Sequence, residues 1–137
     1  MECWGGLLVR ASAEAEVRTI LVVEDEWAIA DWLSAVLGEE GYSVLVANNG
    51  RRALELLKQR KADLVLTDFM MPVMDGPALL RAMKQDGLEQ TPVIVMSSLP
   101  ETSVAERCDG YRVFVRKPFR EAELLRAVEQ VLGTSDE

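Results

Sequence analysis

Five short apolar runs recur along this chain, and each is followed by a stretch with helical spacing of its apolar residues. The runs are residues 19–23, 42–47, 64–66 leading on to Asp68, 92–97 and 112–115. They are rich in Val, Ile and Leu, which suits strands buried in a parallel sheet. The intervening stretches are residues 27–37, about 51–60, 76 to about 85, 101–108 and 121–132. The first places Ile29, Leu33, Val36 and Leu37 on one face, and the last does the same with Leu124, Leu125, Val128, Val131 and Leu132. The fourth has few apolar anchors and reads as a weak helix. Strands alternating with helices predict one α/β domain, a doubly wound five-stranded parallel sheet with right-handed crossovers. An open sheet of this size is expected in strand order 2-1-3-4-5. Its ligand crevice then lies at the strand carboxyl ends, beside strands one and three.

Those two strands deliver acids. The first runs into Glu24-Asp25-Glu26, and the third reads Leu64-Val-Leu-Thr-Asp68, followed by Phe-Met-Met-Pro72-Val-Met-Asp75-Gly76. Ser97 ends the fourth strand, and Lys117-Pro118-Phe119 follows the fifth. Taken singly, each has an ordinary reading. Asp68 would start a turn, Glu24 and Asp25 would be solvated, and Lys117 would be a surface charge. Together they put three acids, a lysine and a hydroxyl on one edge of the sheet, which accident explains poorly. Crowded carboxylates repel, so a cation is expected among them. Oxygen ligands without His or Cys suit a hard ion, and Mg²⁺ is the usual one beside phosphate. The set reads as a site for a phosphoryl group.

Composition removes several other classes. The formal charge of −8 and pI near 4.6 argue against a nucleic-acid-binding surface. There is no histidine, which excludes His acid/base catalysis and His metal ligation. Cys3 and Cys108 have no metal-ligand spacing and are expected to be reduced, in the cytoplasm. No apolar run approaches the roughly 20 residues a membrane span needs. Residues 1–17 lack the basic start of a signal peptide, although Ala11-Ser-Ala13 mimics a cleavage site. They are expected to be a flexible leader, residues 18–133 the domain, and 134–137 a tail.

The Glu24-Asp25 pair, the loop from Asp68 to Gly76, Ser97 and Lys117-Pro118-Phe119 together resemble the receiver domain of two-component response regulators, over about residues 18–133. The resemblance implies a flavodoxin-like fold and a switch that accepts a phosphoryl group from a histidine kinase or phosphotransfer protein. Asp68 is similar to the phosphoacceptor. Glu24, Asp25, Asp68 and the Met70 backbone carbonyl resemble the Mg²⁺ ligands, Glu24 acting directly or through water. Lys117 would pair with the phosphoryl oxygens, across a Lys117–Pro118 peptide that is cis in the family. Ser97 is similar to the switch hydroxyl, and Phe114 to the aromatic residue that swings inward with it. Such a protein catalyses its own phosphorylation and turns over no free substrate. It would signal through the face of helix four, strand five and helix five, to a downstream protein or a missing output domain. Monomer or weak phosphorylation-dependent dimer is the expected state.

Departures from the family pattern carry expectations of their own. Glu24 replaces the more frequent aspartate. Met70 and Leu99, two places after Asp68 and Ser97, cannot orient a hydrolytic water, so a phosphoryl form outlasting a minute is expected. Phe114 lacks a hydroxyl and would switch by packing alone. Arg120 is a poor helix cap, and residues 98–109 are short for a receiver, so the fourth helix is expected to be short or mobile. Trp27, at the start of the first helix, is either an incidental surface aromatic or a partner contact. Two other readings compete: a docking module that is never phosphorylated, and a Mg²⁺-dependent phosphatase of similar topology. The second is disfavoured because no general-acid aspartate follows closely after Asp68.

Overall fold

The structure is a computed structural model, and it describes residues 17–133. The expectations for a leader and a tail therefore lie almost wholly outside the described residues. Within them, strands and helices alternate: β1 (Thr19–Val23), α1 (Trp27–Glu39), β2 (Ser43–Ala47), α2 (Gly50–Gln59), β3 (Leu64–Asp68), α3 (Gly76–Gln85), β4 (Val93–Ser97), α4 (Glu101–Arg107), β5 (Val113–Arg116) and α5 (Glu121–Leu132). All strand pairs are parallel, and the order is β2-β1-β3-β4-β5. The expected topology and order hold. Several element ends move by a residue or two, which is where capping rather than periodicity decides.

Residues alternate across the sheet, so each strand feeds two cores. Leu21, Val23 and Val65 turn to one side, where Leu57 of α2, Met83 of α3 and Val104 of α4 cover them. Ile20, Val22 and Leu66 turn to the other, against Leu33 of α1 and Leu124 of α5. Every residue of β3 and β4 is buried, whereas edge strand β2 leaves Val46 46% exposed. A central strand apolar on both faces, as in Leu64-Val-Leu, can only sit in the middle of such a sandwich.

The ends of α1 show how the chain is turned back toward the sheet. Gly41 adopts φ +97°, its N–H bonds the Gly38 carbonyl, and the Tyr42 N–H bonds the Leu37 carbonyl. That is a Schellman closure, which needs a left-handed residue after the helix. Of the two glycines that could have ended α1, Gly41 does it and Gly38 stays helical. At the other pole of the molecule, Asn49 caps α2 by accepting from the Arg52 N–H at 2.9 Å. Asp75 caps α3 by accepting from the Ala78 N–H at 3.0 Å. Both caps place a helix start beside the strand carboxyl ends.

Candidate functional site

Parallel pairing brings the strand ends to one edge. Val23 pairs with Thr67 and Ser97 with Arg116, so Glu24, Asp68 and Lys117 emerge within reach of one another. Lys117 Nζ lies 3.2 Å from Glu24 Oε1 and 3.1 Å from Asp68 Oδ1. One carboxylate oxygen from each of Glu24, Asp25 and Asp68 falls within 4.8 Å of the others. Glu24 is 1% exposed and Asp68 9%, while Asp25 faces solvent.

Backbone donors take up some of the remaining lone pairs. Glu24 Oε2 accepts from the Glu26 N–H at 3.2 Å, and Asp68 Oδ1 from the Phe69 N–H at 3.1 Å. Glu24 thus spans from Lys117 on one side to the backbone of its own loop on the other. Burial pushes the Glu24 carboxyl above the ordinary carboxylate range, and the neighbouring Asp68 charge pushes it further. Burial likewise raises Asp68, against the opposing pull of Lys117. For Lys117 burial acts downward, but Asp68 and Glu24 outweigh it and the ammonium is held above its usual value. Three carboxylates facing one lysine leave an excess of negative charge. All the donors are carboxylate oxygens, so the chemistry of the set fits a hard divalent cation rather than zinc or copper.

The loop after β3 is laid tightly against the acceptor strand. Gly76 donates to the Phe69 carbonyl at 2.9 Å, and a Cβ at Gly76 would stand 2.9 Å from the Asp68 carbonyl oxygen. No larger residue fits without moving that backbone. Within the loop the Met74 N–H bonds the Pro72 carbonyl at 2.7 Å across Val73, which sits at φ +70°. This is a γ-turn of the rarer, strained hand. For a β-branched residue that conformation is unusual.

The remaining expected residues occupy the same edge or its flank. Ser97 is 4% exposed, and its Oγ accepts from the Leu99 N–H at 3.1 Å. The side chain of Met70 is 56% exposed, and that of Leu99 39%. Phe114 is half-buried on the α4 side of the sheet, packed against the core that contains Val104. The Lys117–Pro118 peptide is cis. Trp27 is 79% exposed. Two contributors were not foreseen. Thr67 is fully buried and donates to the Asp68 carbonyl at 2.9 Å, and Arg116 Nε donates to the Ser98 carbonyl at 3.0 Å. Thr67 could have been flagged as a polar residue inside an otherwise apolar run. Nothing in the sequence marks Arg116 as the donor to the Ser98 carbonyl.

Comparison with known proteins agrees with this fold. Residues 20–129 match the family described as the response regulator receiver domain. The chain belongs to that family. It is 36% identical over 113 residues to the transcriptional regulatory protein DltR of Streptococcus agalactiae, covering 80% of this chain and 49% of that protein. It is 37% identical over 119 residues to the regulatory protein AtoC of Escherichia coli, covering 85% of this chain and 25% of that protein. The chain thus spans half or less of these relatives. Among solved structures, the receiver domain of a signal transduction histidine kinase from Syntrophus aciditrophicus superposes with a TM-score of 0.78 at 33% identity, over 85% of this chain and 90% of that one. The receiver domain of the Pseudomonas aeruginosa sensor histidine kinase PA1611, with a magnesium ion coordinated in its active site cleft, gives 0.78 at 28% identity, over 86% and 99%.

Proposed function

We propose that this receiver is a phosphorylation switch in which Asp68 is the acceptor. The observation that carries it is Lys117 Nζ seated between Glu24 and Asp68, in a family of receiver domains. In the transfer, an Asp68 carboxylate oxygen forms a bond to phosphorus of a phosphohistidine on a partner kinase or phosphotransfer protein. The P–N bond breaks, and its electron pair stays on the imidazole, which takes up a proton. Such a reaction asks for in-line placement and charge neutralisation more than covalent help. Strand β3, buried over its whole length, supplies a rigid platform for the acceptor. Lys117 exchanges one carboxylate partner for the phosphoryl oxygens.

Glu24, Asp25, Asp68 and the Met70 carbonyl would hold Mg²⁺, as the donor set suits and as the Pseudomonas relative holds magnesium in its cleft. The ion supplies charge neutralisation to the phosphoryl oxygens. Ser97 gives up the Leu99 N–H to bond the new phosphoryl group, and Phe114 repacks behind it. The α4–β5–α5 face then carries the state of Asp68 to a partner protein or output domain. No free substrate is turned over.

Borohydride trapping tests the acceptor directly, because an aspartyl phosphate is reduced to homoserine. After phosphorylation, peptide mapping should find homoserine at position 68. A phosphoryl group recovered on Ser97 or any other hydroxyl, with Asp68 unmodified, would overturn the assignment.

A further inference from the structure

Helix α4 is short, and its shortness leaves space beside α3. It ends at Arg107, Val104 is its one buried residue, and residues 108–112 continue without regular structure to β5. Between that segment, α3 and the start of β4 lies a cavity of about 260 Å³. Its walls include Leu80, Met83, Val93 and Cys108, none more than 9% exposed. Burial, with Asp109 and Asp75 adding, pushes the Cys108 thiol up to about 11, so the sulfur is a neutral, apolar wall.

The rim has a different character. Arg81, Lys84 and Arg107 stand around it, with Glu89 and Asp109. None of the three cations is ion-paired among the described residues. On a chain of net charge −8, three unpaired cations beside two acids run against the overall field. The Arg107 guanidinium carbon lies 5.5 Å from the centroid of the Phe69 ring, a cation–π contact that favours this placement. An apolar floor under a mainly cationic rim is complementary to one kind of ligand.

We propose that this groove binds a small amphipathic anion, with its apolar body against Leu80, Met83, Val93 and Cys108. Its carboxylate or phosphate head meets Arg81, Lys84 and Arg107. The lining shares no residue with the Glu24–Asp25–Asp68–Lys117 cluster. It is a separate pocket, although Arg107 of its rim touches Phe69, the neighbour of Asp68.

Amide NMR spectra of the full chain, titrated with octanoate, octyl phosphate, octylammonium and 1-octanol, test it. The expected result is saturable shifts at the Leu80, Lys84 and Gly110 amides with one or both anions, which also identifies the head group. Octylammonium and octanol should bind at least about tenfold more weakly, the scale of one lost charged contact. Arg81→Gln with Arg107→Gln, both at exposed side chains, should weaken the anion by a similar factor, and Lys84→Gln should weaken it separately. Equal binding of all four probes, unchanged binding in both variants, or no saturable shift with either anion would each overturn the proposal.

Discussion

Lys117 is the residue on which the electrostatics of the site turns. With its side chain 21% exposed, it neutralises the fully buried carboxylate of Glu24 and that of Asp68 at once. Removing it leaves two acids without a neutralising cation, so Lys117→Met should lose about 2 kcal/mol of stability, less than for a fully buried pair. Adding Asp68→Asn to that variant should restore part of the loss in urea unfolding, and no restoration would show the coupling to be wrong. The pH dependence has a definite sign. A carboxyl raised on folding binds more protons folded than unfolded, between its ordinary and its raised value. Glu24 and Asp68 therefore add stability as pH falls from neutral toward the ordinary carboxylate range, and that gain is lost again as pH rises through their raised values. Lys117 is also raised, and its contribution is complete below the ordinary lysine value and disappears only above the raised one. Without divalent cation, stability should thus rise as pH falls from neutral toward the ordinary carboxylate range, with a shallower slope in Asp68→Asn. An unaltered slope in that variant would remove Asp68 from the explanation. Val73 makes a separate prediction. Val73→Gly should raise stability by about 1 kcal/mol, since strain of this kind costs about 1–3 and glycine's extra entropy about 1. A fall in the melting temperature would mean the γ-turn is relaxed.

Among the elements, α4 and α5 differ most in what holds them. The sparse apolar residues of the fourth helical stretch foretold a short element, and it has seven residues, no side-chain cap and one buried anchor. Amide exchange across 101–107 should be faster than in α1 or α5. Protection equal to those helices would contradict the reading. At α5 the cap was legible in only one half. Arg120 offers no acceptor to the helix start, but the Glu123 carboxylate accepts from the Arg120 N–H at 2.7 Å and supplies the reciprocal half of a capping box. Arg120→Asp should still stabilise by about 1 kcal/mol, by filling the empty cap and removing a cation from the helix start. A variant no more stable than the parent in thermal melts would show the existing half-cap to be sufficient. Strand and helix positions were readable because burial on two faces and on one face write different periods into the chain. Helix ends were less so. Whether Gly38 or Gly41 stops α1 depends on a left-handed φ, which composition does not encode. Nor does periodicity announce a γ-turn at Val73, because nothing in that residue's chemistry favours it.

For the molecule as a whole, the sheet order follows from alternation and the crevice from the order, so the sequence alone groups Glu24, Asp25, Asp68 and Lys117. What stayed hidden was the detail of sharing: Glu24 dividing its oxygens between Lys117 and the Glu26 N–H, and Thr67 bracing the acceptor's backbone. Those depend on rotamers and loop paths that no spacing rule specifies. The cavity beside α4 was equally illegible, because it comes from what a short helix fails to cover. Met70 and Leu99, both exposed at the mouth of the site, offer no group to orient a hydrolytic water. The phosphoryl form should accordingly persist beyond a minute when followed by loss of the phosphorylated mass, and decay within a minute would contradict that. The most direct test of the switch itself is intact mass after incubation with acetyl phosphate, with and without Mg²⁺, for the parent chain and Asp68→Asn. One added phosphoryl group in the parent, absent without Mg²⁺ and absent from Asp68→Asn, is the predicted result. A parent chain that gains no phosphoryl group from acetyl phosphate or from any histidine kinase, or an Asp68→Asn chain that gains one as readily, would contradict the account.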